Sequence, residues 1–179
     1  MRKLLLMRHA KAVREPGLTD RARRLNERGR EDAVRVARFL QRHGLTPDHA
    51  IASDSRRTRE TLELAAAAFD PAPAIQLDAS LYLAEPAAIL KAIHAVPAAT
   101  RTLLVVGHNP GIADLALALT ERGDGADVRR LAASFPTAAI AVIDLDCAWP
   151  AVAEPGGRLE RFILAKPLRE AAGAGERDQ

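Results

Sequence analysis

The sequence predicts an α/β fold, a three-layer α/β/α sandwich around a mostly parallel central sheet with an antiparallel edge strand. Three observations carry this reading. Short apolar runs stop abruptly at polar residues, as strands buried on both faces do. Amphipathic stretches of helical period separate those runs, and Pro, Gly and Asn stand at the joints between them. Strands that alternate with helices need crossover connections, which lay helices on both faces of a parallel sheet.

Taken in order, Lys3 to Met7 is the first strand, a continuous apolar run closed by Arg8 and His9. From Glu27 to His43 the residues Ala33, Val34, Ala37, Phe39 and Leu40 fall mainly at helical spacing, and Gly44 stands where a C-cap belongs. Ala50 to Ala52 is a second short strand, and the helix from Arg57 to Phe69 is stopped by Asp70-Pro71 and Pro73. Ile75 to Leu77 forms a third strand and Ala87 to Ala95 a helix before Pro97. Thr102 to Val106 is the clearest strand in the chain, apolar after its first, β-branched residue. A helix follows to about Glu121, with Asn109 as N-cap and Pro110 in the first turn. Ala138 to Leu145 and Leu159 to Leu164 flank a turn at Pro155, Gly156 and Gly157 and predict an antiparallel edge hairpin. No repeat or linker marks a second domain. Residues 1–168 read as one domain and 169–179, rich in Ala, Gly and charge, as a flexible tail.

Composition narrows the function. The chain has 179 residues, 48% of them hydrophobic, which suffices for a substantial core. Aromatic residues are only 3%, too few for the stacking platforms of many single-strand nucleic-acid binders, so no nucleic-acid partner is expected. A net charge of +3 permits anionic ligands without demanding them. The single Cys147 can form no internal disulfide, which fits a reducing cytoplasm. Leu4 to Met7 is shorter than the apolar core of roughly 7–15 residues in a signal peptide, and no run approaches the roughly 20 residues of a membrane helix. A soluble cytoplasmic protein with no membrane partner is expected.

The chemistry concentrates at strand ends. His9 follows the first strand directly, at the edge where α/β sheets bind ligands, and Arg8 beside it is a permanent cation. His108 repeats the placement after the best strand, at the mouth of a helix whose free N–H groups attract anions. Beyond the second strand, Ser53-Asp54-Ser55-Arg56-Arg57-Thr58-Arg59 supplies three arginines, at least one within reach of the same edge. Two histidines and two arginines around one pocket suit a tetrahedral dianion. Mutual repulsion of their charges favours a neutral imidazole, which is a competent nucleophile. Carboxylates and cysteines at metal-ligand spacing from these histidines are missing, so no metal and no cofactor are expected.

These residues resemble the histidine phosphatase superfamily, the group related to phosphoglycerate mutases, whose signature is a strand ending in Arg-His-Gly. Here the triplet is Arg8-His9-Ala10, with a small residue kept where backbone must approach phosphate. Arg57, within Ser53-x-x-x-Arg57-x-x-x-Thr61, matches the family's second arginine, and His108 its second histidine. Short length and Asp20-x-x-Arg23-x-Leu25-x-x-x-Gly29 make the chain similar to the SixA-type phosphohistidine phosphatases. The resemblance implies that His9 takes up the phosphoryl group, that Arg8, Arg57 and His108 hold its oxygens, and that Arg23 lines the substrate pocket. Asn109, opening the helix after His108, is a further candidate for substrate binding.

Many members carry a Glu or Asp that protonates a leaving alkoxide. In the corresponding stretch, Asp78 to Ala84, Leu83 takes that place, with Asp78 and Glu85 as possible substitutes. A phosphorylated imidazole leaves as a much weaker base than an alkoxide and needs no such acid. The reading is therefore a metal-independent phosphatase that removes phosphate from phosphohistidine on a protein and releases inorganic phosphate. Its rivals are a phosphomonoesterase acting on small phosphate esters and a phosphate- or phosphoprotein-binding module without chemistry. Arg21, Arg23, Arg24, Arg28 and Arg30 read as a solvated basic face, or a docking surface for an acidic phosphoprotein; His43, His49, His94 and Cys147 have no assigned role.

Overall fold

Four consecutive apolar residues, Leu4 to Met7, leave no polar side for solvent, so their strand must lie between two layers. In the computed structural model, which describes residues 1–175, they form the middle of β1 (Arg2–Arg8) and all four are buried. β1 is the central strand of a seven-stranded sheet. The others are β2 (His49–Ala52), β3 (Ala74–Leu77), β4 (Thr102–Gly107), β5 (Thr120–Gly123), β6 (Ile140–Leu145) and β7 (Gly157–Ile163). Their order is β3-β2-β4-β1-β6-β7-β5, and β6 alone runs against its neighbours.

The period-2 alternation of β1 feeds two cores. Leu5 and Met7 pack with Ala33, Val36, Ala37 and Leu40 of α1 (Glu27–Arg42) and with Leu62 and Ala65 of α2 (Arg56–Ala66). Leu4 and Leu6 pack on the opposite face with Ile89 and Ile93 of α3 (Pro86–His94) and with Ile112, Leu115 and Leu119 of α4 (Gly111–Leu119). Leu131 of α5 (Gly125–Ala133) joins this second face, and Ala165 of α6 (Ala165–Gly175) the first. The result is the predicted sandwich. Among the described residues no helix is long and apolar enough to cross a membrane.

The structure departs from the sequence expectation at several places. The late hairpin forms, but β6 pairs with β1 and β5 covers the outer side of β7, so the hairpin lies inside the sheet. The expected helix to Glu121 stops at Leu119, and the polar Thr120–Gly123 becomes the edge strand β5. An edge strand held by backbone hydrogen bonds needs no apolar pattern, so nothing in its side chains announces it. α5 was likewise not foreseen; Asp124 caps it by accepting from the N–H groups of Ala126 and Asp127. Asn109 is not the N-cap of α4. Pro110 holds that position, and the Asn109 amide donates to the carbonyl of Phe135 at 2.9 Å. At the C-terminus the expected tail enters α6, where Arg169 donates to the buried Asp32 at 2.6 Å; residues 176–179 lie outside the described residues.

Candidate active site

Sheet order decides where the chemistry collects. β4 lies between β1 and β2, with Arg8 in register with Gly107 and Ala52 with Val106. The chain therefore leaves all three strands at one edge, and His9, His108 and Ser53 emerge side by side. The backbone N–H of His9 donates to the Gly107 carbonyl at 3.0 Å, and that of Ser53 to Val106 at 3.3 Å. The two imidazole rings end 5.3 Å apart between centroids.

Hydrogen-bond partners fix both tautomers. A carbonyl only accepts, so His9 Nδ1, 2.8 Å from the Ala10 oxygen, carries the proton. Nε2 is then the lone-pair nitrogen, and Arg57 Nε donates to it at 3.2 Å. Arg57 Nη2 donates to His108 Nδ1 at 3.1 Å, which leaves the His108 proton on Nε2, donated to Ser53 Oγ at 2.8 Å. Ser53, Ser55 and Thr58 close a buried hydroxyl cluster behind His108. Thr61 Oγ accepts from the Ala10 N–H at 3.0 Å, tying α2 to the end of β1. Among the described non-glycine residues positive φ occurs only at Leu83 and Ala138, so Ala10 serves without the left-handed backbone that would require glycine.

Burial and charge both act against protonation of these rings. His9, Arg57 and His108 are 8%, 2% and 3% exposed. His9 is pushed down to about 3 by desolvation, helped by Arg57, His108 and Arg8 and opposed by the bond to Ala10. Desolvation and then Arg57 lower His108 to about 4. Near neutral pH both imidazoles are uncharged. Arg8 anchors one end of its guanidinium on the Phe135 carbonyl at 3.0 Å, while its buried Nε–H has no partner. An unpartnered buried donor beside a second guanidinium is what an anion would satisfy.

The structure thus brings His9, Arg57 and His108 into direct contact, with Arg8 close enough to lower the charge capacity of its neighbours. Arg23 reaches this group only through Asp20, donating to Oδ1 at 2.9 Å and to the Val13 carbonyl at 2.8 Å. Asn109 touches Phe135, the residue that also anchors Arg8, and leaves its own buried Oδ1 unpartnered. Two groups without a role in the sequence reading belong to the site. Asp20 Oδ2 accepts from Arg57 Nη2 at 2.9 Å and from the Tyr82 hydroxyl at 2.7 Å, and the Tyr82 ring stands edge-on to His108. Arg21 lies over the Tyr82 ring, 4.5 Å from its centroid, and pairs with Asp54. Asp20 was visible in the Asp20-x-x-Arg23 motif; Tyr82 was visible only as the neighbour of Leu83.

Asp78 and Glu85 make no hydrogen bond to the group of His9, Arg57 and His108. Asp78 accepts from the backbone and hydroxyl of Ser80, and Glu85 is exposed at the start of α3. Leu83 is exposed with φ of 50°. Among the described residues no three His, Cys, Asp or Glu side chains gather so as to hold a metal ion. The arginine-rich stretch is matched acid for base: Arg21 with Asp54, Arg23 with Asp20, Arg24 with Glu15, Arg28 with Asp32 and Arg30 with Glu60. His43 bonds the Phe39 carbonyl at the end of α1 and His94 that of Val152, both structural contacts. Cys147 is partly buried against the α3/α4 core.

Comparison with known proteins gives the family. The histidine phosphatase superfamily (branch 1) model matches residues 4–82. An uncharacterized protein of Mycobacterium tuberculosis is 36% identical over 152 residues, 84% of this chain and 93% of that one. Among solved structures, the protein assigned as phosphohistidine phosphatase SixA in Nakamurella multipartitia superposes with a TM-score of 0.81 at 28% identity, covering 91% of this chain and 95% of that one. Its counterpart in Agrobacterium tumefaciens gives 0.75 at 29% identity, covering 91% and 97%. With Arg8-His9, Arg57 and His108 on the C-terminal edge of this sheet, the chain belongs to the histidine phosphatase superfamily and is a SixA-type member of it.

Proposed function

We propose that the protein is a metal-independent phosphatase that removes the phosphoryl group from phosphohistidine on a protein, through a phosphorylated His9. The observation that carries the reading is the state of His9. It is a neutral imidazole whose Nδ1 proton is held by Ala10, so that the Nε2 lone pair is turned toward the Arg57 guanidinium. Such a nitrogen is a nucleophile placed beside the cation that binds what it attacks.

In the first half-reaction the phosphoryl oxygens take Arg57, the free Nε–H of Arg8 and His108, and His9 Nε2 attacks phosphorus in line while the substrate nitrogen leaves. Water then displaces phosphate from His9. The side chains neutralise charge on the equatorial oxygens, and nothing in this scheme requires a divalent ion. Asp78 is bonded to Ser80 and neither it nor Glu85 is hydrogen-bonded to His9, Arg57 or His108, which supports a leaving group that needs no external acid.

The test is phosphate release, with EDTA present, from a phosphohistidine-bearing protein and from a panel of sugar and nucleotide phosphates. Release from the phosphohistidine protein, with the alkyl esters slow, is expected. Preference for alkyl esters overturns the substrate assignment, and loss of activity in EDTA overturns metal independence.

A further inference from the structure

We propose that Asp20 determines specificity by accepting the ring N–H of the departing imidazole, so that the leaving group holds its own proton and a proton donor is unnecessary. This rests on the phosphohistidine reading above. Asp20 is the one carboxylate among the described residues that touches the buried group of His9, Arg57 and His108. Its side chain is 45% exposed while that of Arg57 is 3% exposed, so the carboxylate bonds the buried group and is itself open to solvent.

Three donors aim it there. Arg57 Nη2 and the Tyr82 hydroxyl bond Oδ2, and Arg23 bonds Oδ1. When phosphoryl oxygens take over the Arg57 fork, the carboxylate loses that partner and keeps Tyr82 and Arg23. On this proposal the freed lone pair meets the leaving group, which in an in-line displacement lies opposite His9.

The bond accounting favours an imidazole. In phosphohistidine protonated at the second ring nitrogen, cleavage of P–N returns the electron pair to the first nitrogen and releases neutral imidazole. Without that proton the ring would leave as an anion. A carboxylate bonded to the N–H keeps the proton in place through a charge-assisted hydrogen bond. The same group serves an alkyl phosphate badly. The Tyr82 hydroxyl, and with it Arg23 and Arg57, hold the Asp20 carboxyl of the free site well below the usual carboxylate range against the effect of burial, so the enzyme meets its substrate with no proton on Asp20 to give an alkoxide.

The experiment compares wild type and Asp20→Asn on a phosphohistidine peptide and on an aryl phosphate, whose leaving group needs no proton. The kcat/KM ratio of phosphohistidine to aryl phosphate is expected to fall by about ten-fold or more in Asp20→Asn, the size expected for one charge-assisted hydrogen bond. Its decline at alkaline pH, where the ring proton is lost, is expected to move to lower pH. Tyr82→Phe, which removes one of the donors that aim the carboxylate, should lower the ratio in the same direction. Equal losses on both substrates would mean that Asp20 only positions Arg57, and an unchanged ratio with tighter phosphate binding would mean that it only competes for Arg57; either overturns the inference. A wild type inert toward phosphohistidine but active on aryl phosphate instead removes the proposed substrate, and this inference with it.

Discussion

Nε of Arg57 donates to Nε2 of His9 across 3.2 Å, so one guanidinium covers the lone pair of the candidate nucleophile and, in the proposed reaction, also binds the anion attacked. The other nitrogens of the same fork reach His108 and Asp20. Arg57 is therefore the hub of the site, and its flat geometry matters as much as its charge. Arg57→Lys is expected to lower kcat/KM by about a hundred-fold or more, the scale of losing preorganised donors to a transferring group. Steady-state kinetics on either substrate class checks this, and a Lys variant within a few-fold of wild type would show that only the charge is used.

His9→Ala should abolish turnover, by at least about a thousand-fold, with the fold retained. Rapid quench of the wild type should trap a phosphoryl adduct on His9 that is labile to acid and stable to alkali, as phosphoramidates are. Neither His9→Ala nor heat-unfolded protein should carry it. An adduct on another residue, or full activity in His9→Ala, would displace His9 from the nucleophile's role.

Much of this site was legible from the chain because strands buried on both faces betray themselves by unbroken apolar runs, and the residue after such a run lies at the ligand edge. That logic found His9 after Met7-Arg8 and His108 after Val106-Gly107. The adjacency of β1, β4 and β2, which turns separate strand ends into one pocket, depends on long-range pairing that no local pattern encodes. Asp20 and Tyr82 meet across a sequence separation of 62 residues from two single 3-10 turns, too short to carry a period that could be read. β5 escaped for the opposite reason, since its ladder uses backbone alone and its side chains stay polar and exposed.

Stability should begin to fall with acid from about pH 6.5, above the range in which the lowered carboxylates Glu60 and Asp20 add their own losses. Folding lowers His9 to about 3 and His108 to about 4, below the ordinary 6.5. Their neutral burial is therefore free of penalty above pH 6.5, and stability is lost as pH falls from 6.5 toward 4, because only the unfolded chain takes up the protons there. Each imidazole contributes a slope of up to about 1.4 kcal/mol per pH unit. Asp20, also lowered, contributes stability above its unfolded value of 3.8 and so stays out of this window. Urea unfolding of wild type and His108→Gln at pH 7 and 5 checks the sign. The loss between the two values should be smaller in the variant.

Gly111→Ala tests how α4 is seated against the loop that carries Tyr82. A Cβ at Gly111 would fall well inside contact distance of the Ala84 carbonyl, a backbone atom that cannot swing away. Either α4 or the 82–84 loop must shift, at a cost of about 1–3 kcal/mol. A lowered Tm with a matching fall in activity is expected, since Tyr82 stands edge-on to His108 and bonds Asp20. Unchanged Tm would show that the loop yields freely.

The tautomer of His108 has a consequence for how an anion is held. With its proton on Nε2 and donated to Ser53, the nitrogen that faces Arg57 is an acceptor, and an acceptor repels a phosphoryl oxygen. His108 grips the anion by a second proton at Nδ1, or by a tautomer switch in which the Ser53 hydroxyl donates to Nε2; only the first takes up a proton. A bound dianion supplies the charge that raises its proton affinity from the low value that burial and Arg57 impose. Binding of sulfate, which stays dianionic across the range, should therefore take up protons near pH 6 and tighten as pH falls from 7 to 5. Calorimetry in buffers of different ionisation enthalpy measures that uptake directly. It should shrink in His108→Gln, which keeps a polar side chain and cannot titrate. In Ser53→Ala, where the buried Nε2–H loses its acceptor, sulfate binding should weaken by about ten-fold, the cost of stranding one buried donor. Proton uptake that persists in His108→Gln would assign the titration to another group and leave His108 a neutral spectator of the anion.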